Sequence, residues 1–178
     1  LSGTGLQIKN TYTLGQNDGY ISITTQVTNN GASSISNVHI WAGTRDDWVG
    51  SSDGPTKTKG NLVNGTFTAT NSQATLAQAL QITSGTEGVL FYSTTSGTNS
   101  SINGCCSFSN AYNQDPTTSQ LTLTGDGSYA VMLPVGTLAA AASTTLTWYY
   151  AAGATADLAA VAQAVAAAAA PAAPSVTR

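Results

Sequence analysis

The stretch YISITTQVT, residues 20–28, alternates. Ile21, Ile23 and Val27 fall on one face of an extended chain, and Ser22, Thr24 and Gln26 on the other. A period of two does not suit an amphipathic helix and reads as a strand with one buried face. The pattern recurs along the chain. GLQIKNTYTL sets Leu6, Ile8, Tyr12 and Leu14 on one side, and NVHIWA turns Val38 and Ile40 inward with His39 and Trp41 opposite. TTLTWYY aligns Leu146, Trp148 and Tyr150. EGVLFYS is a short apolar run, expected to be a strand buried on both faces. Turn chemistry separates these runs. NNGASS is one such tract, and Asn64-Gly65 in LVNGTF suits a two-residue type I′ hairpin turn. GDG between QLTLT and SYAVMLP predicts another hairpin, while ATLAQALQI fits a helical turn through Leu76 and Leu80 as well as a strand. Many short strands joined by turns predict an all-β sandwich or barrel.

After Gly153 the pattern changes. ATADLAAVAQAVAAAAAPAAPSVTR is nearly pure alanine, with Leu158, Val161 and Val165 at helical spacing. Thr155 is placed to cap a helix and Asp157 lies near its positive end. Pro171 and Pro174 end it, and the residues after Ala170 are expected to be extended. The chain therefore divides into a β domain, residues 1–153, and an Ala/Pro-rich helical tail or linker, residues 154–178. A lone helix of this length is marginal in water, so it needs a surface to lie on, its own or a neighbour's. The competing reading is an interdomain linker.

Charged residues make up only 7% of the 178 residues, against about 25% in ordinary globular chains. A net charge of −3 disfavours nucleic acid as a partner. No run of bulky apolar residues is long enough to span a membrane, and no charged and apolar leader opens the sequence. Ser, Thr, Asn, Gln and Gly supply the solubility that Lys and Glu normally do. Such Thr-rich strands and Asn/Gly turns point to an extracellular or cell-surface location. Two sequons, Asn64-Gly65-Thr66 and Asn99-Ser100-Ser101, offer sites for covalent glycans. Thr95–Ser101 and Thr117–Ser119 are candidates for O-linked sugars.

YISITTQVTNNGASSISNVHIWAGT resembles the opening of immunoglobulin-like sandwich domains in large bacterial and algal surface proteins, where a strand ending in VTNxG is followed by a loop and xNVxI. VGTLAAAASTTLTWYY is similar to the end of the same domains, with Ala142 where their loop usually carries Gly. The resemblance covers the flanks of the domain and not its middle. It implies an immunoglobulin-like antiparallel β-sandwich serving as an extracellular structural or adhesive module, arrayed in tandem or assembled with copies of itself into fibres.

Four constellations are candidates for chemistry. Cys105 and Cys106 are adjacent, which does not fit paired zinc ligands or a C-x-x-C redox motif. They remain as buried thiols, a vicinal disulfide or bonds to another chain, and an oxidising compartment favours a disulfide of either kind. Asp46, Asp47 and Asp53 crowd a Gly/Ser-rich loop that suits Ca²⁺, while Arg45, Lys57 and Lys59 offer the competing reading of ion pairs. Trp41 and Trp48 flank that loop and offer rings to stack on a sugar, against the alternative that both pack inward. His39 is the only histidine, Glu87 the only glutamate, and no G-x-S-x-G elbow is present, so the chain does not read as an enzyme and needs no cofactor. The expected function is that of a self-assembling subunit or repeat of a glycosylated surface filament, with an adhesin or carbohydrate-binding module as the alternative.

Overall fold

Each alternating run does become a strand, and the apolar faces sort the strands into two layers. The computed structural model describes residues 5–106 and 115–171. The strands are β1 (Leu6–Thr13), β2 (Tyr20–Asn29), β3 (Ile35–Thr44), β4 (Thr56–Val63), β5 (Thr66–Ala69), β6 (Ala79–Ser84), β7 (Glu87–Tyr92), β8 (Asn99–Gly104), β9 (Thr122–Thr124), β10 (Gly127–Leu138) and β11 (Ser143–Ala154). A 3-10 turn (Thr155–Asp157) then leads into α1 (Leu158–Ala169). One sheet runs β1-β2-β11-β7-β6-β4-β5, with β9 also on β4; the other runs β3-β10-β8. All pairings named here are antiparallel. The polar tract 107–114 and the tail beyond Pro171, with its expected extended course, lie outside the described residues.

The principal core lies between the sheets. Leu80 and Ile82 of β6, Val89 and Phe91 of β7, and Leu146 of β11 meet Ala42 of β3, Ile102 of β8, and Tyr129, Val131 and Leu133 of β10. Trp148 stacks on Phe91 with centroids 6.1 Å apart, and Tyr150 meets the same ring edge-on at 5.1 Å. Aromatic clusters of this kind fill large volumes and restrict ring geometry. Strand β7 is buried on both faces. Val89 and Phe91 point between the sheets, whereas Leu90 and Tyr92 point outward with Tyr149, Ala79 and Ala151 into a second apolar cluster. Helix α1 covers that cluster with Ala162 and Val165, so the alanine-rich segment lies on the outer face of the chain's own large sheet. Alanine suits this position because a small side chain brings the helix close to the sheet.

Two local expectations are corrected and one open alternative is settled. QLTLT and SYAVMLP do not pair with each other: β9 adds to β4 in the large sheet, and β10 is the centre of the small one. The GDG turn is a crossing between sheets. Of ATLAQALQI, residues 79–82 open strand β6, because the sheet offers a two-sided apolar slot between β4 and β7, while Leu76 stays outside it and exposed. Thr155 does not cap α1; its hydroxyl donates to Gly85 O at 3.4 Å, and Asp157 stands at the N-cap with no side-chain cap bond. At Asn64-Gly65 both residues have positive φ, 51° and 77°, as a type I′ turn between β4 and β5 requires.

Candidate functional site

Three connections meet at one end of the sandwich: the loop from β3 to β4, the end of β8, and the crossing from β9 to β10. The loop begins with a Thr44 hydroxyl donating to Asp46 O at 2.6 Å, which turns the chain out of β3. Asp46 is left exposed and Asp47 is swung inside, 1% exposed. Asp47 is tied to the crossing segment twice, its N–H donating to Gly127 O and its Oδ1 accepting from Gly127 N, both at 3.1 Å. Its Oδ2 takes the Lys57 ammonium, and both side chains of this ion pair are wholly shielded from solvent. Lys57 Nζ also donates to Pro55 O at 3.1 Å and to Gly125 O. Gly127 is required by close approach: a Cβ there would lie 2.7 Å from Asn103 O and 3.1 Å from Lys57 Cε.

Above this pair sit the two cysteines, joined to each other in a vicinal disulfide. Cys105 Sγ lies 3.8 Å from Asp46 Oδ1, and Cys106 Sγ 3.8 Å from Asp126 Oδ1. Arg45 donates to Cys106 O at 2.9 Å and so ties the loop to the disulfide. Desolvation, and then the charges of Asp46, Asp53 and Asp47, hold the Asp126 carboxyl above its ordinary range. The expected calcium triad is thus divided. Asp46 and Asp53 remain outside with Asp126, while Asp47 is committed to Lys57. Asp126 was not among the candidates, because GDG reads only as a turn.

The tryptophans separate as well. Trp48 is 67% exposed, its indole N–H donating to Gly50 O at 3.0 Å. Trp41 is half-buried beside Met132 on β10, with its indole nitrogen buried and unpartnered. The two rings do not form one exposed clamp. The sequons also differ. Asn64 is exposed at its turn, whereas Asn99 is 4% exposed with Oδ1 accepting from Ala77 N at 3.0 Å. The folded chain therefore presents Asn64 and not Asn99 at its surface.

A second feature is the open corner of the sandwich. Ile8 pairs with Val27 and Tyr12 with Ile23, so these β1 side chains share the face that Val27 turns toward Val38 and Leu138 of the small sheet. Among the described residues the three-stranded sheet ends at β3, which pairs with β10, and no strand of it extends beyond β3 over β1. Ile8 is left 41% exposed and Tyr12 65%. Polar contacts run out to this corner, with Trp148 Nε1 donating to Thr25 Oγ1 at 3.0 Å and Thr25 donating to Asn10 Oδ1 at 2.7 Å.

No family model matches the chain, and no curated protein matches it. Among solved structures it is similar to a TPR-domain-containing protein from Parabacteroides distasonis, at 12% identity and a TM-score of 0.38, over 85% of this chain and 31% of that one. The chain thus spans about a third of that protein's length, and a likeness this weak assigns neither fold nor function. No helix among the described residues is long and apolar enough to cross a membrane.

Proposed function

We propose that this chain is a self-assembling module of an extracellular filament or surface array, built on an immunoglobulin-like sandwich. The observation that carries this reading is the open corner. Among the described residues no strand pairs with the outer edge of the ten-residue β3, and Ile8 and Tyr12 lie exposed on the facing sheet. One further strand beside β3 would pair with its free backbone groups and cover both side chains. A strand from a second copy supplies both, by the ordinary physics of edge-strand addition. The repeated passage of the chain between the two sheets, from β2 to β3 to β4 and from β8 to β11, accords with the immunoglobulin-like reading. Low charge favours close packing of copies, and the exposed Asn64 turn is the position where a glycan would project from an assembly.

The test is electron microscopy, with light scattering across a concentration series, on protein purified without reductant. Ordered fibres or concentration-dependent oligomers are expected. A monomer at every concentration would sink the reading. It would move the weight to the second one, carbohydrate binding through the exposed face of Trp48, which a glycan array with Trp48→Ala as control would then decide.

A further inference from the structure

The Asp47–Lys57 pair is a fully buried ion pair that joins the two layers: Asp47 leaves the small sheet after β3, and Lys57 sits on β4 of the large one. The register places Ile82 and Leu123 beside Lys57 on neighbouring strands, and Tyr129 lies close enough to feel the charge of Asp47. A buried ion pair is a weak source of stability, because desolvating both ions offsets most of their attraction. An amide between the same groups carries no charge and loses nothing on burial beyond its hydrogen bonds.

We propose that Lys57 and Asp47 condense into an intramolecular isopeptide bond, a covalent brace between the two sheets. The geometry supplies what the step needs. Lys57 Nζ already donates to Asp47 Oδ2, so proton transfer along that bond gives a neutral amine against a neutral carboxyl. The Nζ lone pair attacks Cγ of Asp47 and a C–N bond forms. Charge gathers on Oδ1, where the Gly127 N–H already donates at 3.1 Å. The C–Oδ2 bond breaks and Oδ2 leaves as water with two of the three ammonium protons. The third stays on the amide nitrogen, facing the carbonyls that now accept from Lys57, those of Gly125 and Pro55. Charges cancel, and no oxidant or activating group is consumed. Two groups fixed in contact and shielded from water react with effective molarities far above any solution value, about 10⁵ M or more in well-oriented cases. Asp126 lies in sequence between the two glycines that touch the pair. It feels the charges of both Asp47 and Lys57. The proposal does not depend on the assembly reading.

The experiment is the intact mass of the full chain, denatured and with its disulfide reduced and alkylated, followed by tryptic fragmentation. The expected mass is one water below the sum of the residues. Trypsin should leave the Lys57–Thr58 bond uncut and release residues 46–59 as one peptide a water short, closed into a ring from Asp47 to Lys57, so that its fragment ions show no backbone break between those two residues. A full mass with cleavage after Lys57 overturns the proposal. Lys57→Arg keeps the charge but cannot form the bond, and should restore the full mass. A water loss that persists in Lys57→Arg would be a succinimide at Asp18-Gly19, Asp53-Gly54 or Asp126-Gly127, and would overturn the proposal equally. Should the variant not fold, the fragment ions of the unaltered chain decide alone.

Discussion

Two lysines define the residue scale. TKTK reads as a polar edge, yet Lys57 and Lys59 are both fully buried. Lys59 donates to Pro116 O at 2.7 Å and Ser119 Oγ at 3.3 Å. Burial lowers its pKa from 10.5 to about 8, and the nearby Asp115 charge only partly opposes the shift. Its folded pKa lies below its unfolded one, so between those values the unfolded chain binds more protons and stability rises with pH. The cost of the buried charge is complete below about pH 8 and disappears toward the unfolded value, with an upper bound on the order of 3 kcal/mol. Tyr92, Tyr129 and Tyr149 have raised pKa values, chiefly from burial, and act in the opposite sense above the ordinary tyrosine range. Urea midpoints should therefore climb from about pH 8 to about pH 9.5, then fall as the unfolded tyrosines ionise. Lys59→Met should flatten the climb and leave the fall. A climb that persists in the variant would place its origin elsewhere. The sequence offered no sign of this burial, because lysine is normally a surface residue and its alternation with threonine follows the strand period either way. By contrast, the backbone demands of Asn64-Gly65 were legible, since few residue pairs tolerate two positive φ values.

At the scale of elements, strands were legible wherever one face is apolar, and β7 was legible as a two-sided strand. What covers its outer face was not. Leu158, Val161 and Val165 announce a helix but do not say where it docks. The answer lies partly in Gly88 of β7, where a Cβ would stand 2.4 Å from Leu158 Cδ1. Glycine here lets the first turn of α1 sit down on the sheet. Gly88→Ala should cost about 1–3 kcal/mol by overpacking. Leu158→Ala, which removes a side chain only 3% exposed, should cost about 2–5 kcal/mol by leaving a cavity. The double variant should cost clearly less than the sum, because the shortened side chain makes room for the new methyl. Strict additivity in urea unfolding would mean that α1 does not rest on Gly88. The misread β9–β10 hairpin has a related cause. A tight turn between two apolar runs signals a reversal of direction, but the pairing partner is chosen by the open edges available, and β4 and β3 offered them. The site at the end of the sandwich depends on that crossing, so its gathering of Asp47, Lys57, Asp126 and the disulfide could not be read from local pattern.

At the scale of the whole molecule, the two sheets differ in width, and this difference is where assembly should be decided. Seven strands in one path face three in the other. Helix α1 covers the outer face of the wide sheet, but on its inner face at the β1 corner no described element lies over Ile8 and Tyr12. Their exposure separates assembly from folding, because side chains this open contribute little to the stability of the isolated chain. Ile8→Lys combined with Tyr12→Lys places two charges where an added strand would have to bury them, and charge on an open strand is a common barrier to edge pairing. The double variant should keep its unfolding midpoint within about 0.5 kcal/mol of the unaltered chain for each substitution. In electron micrographs and light scattering it should remain monomeric under conditions where the unaltered chain assembles. Fibres of unchanged morphology from this variant would rule out the corner as the joint. Loss of assembly together with a large loss of stability would show that Ile8 and Tyr12 serve the fold rather than the contact. Monomers of undiminished stability are the one outcome that assigns the corner to a second copy of the chain.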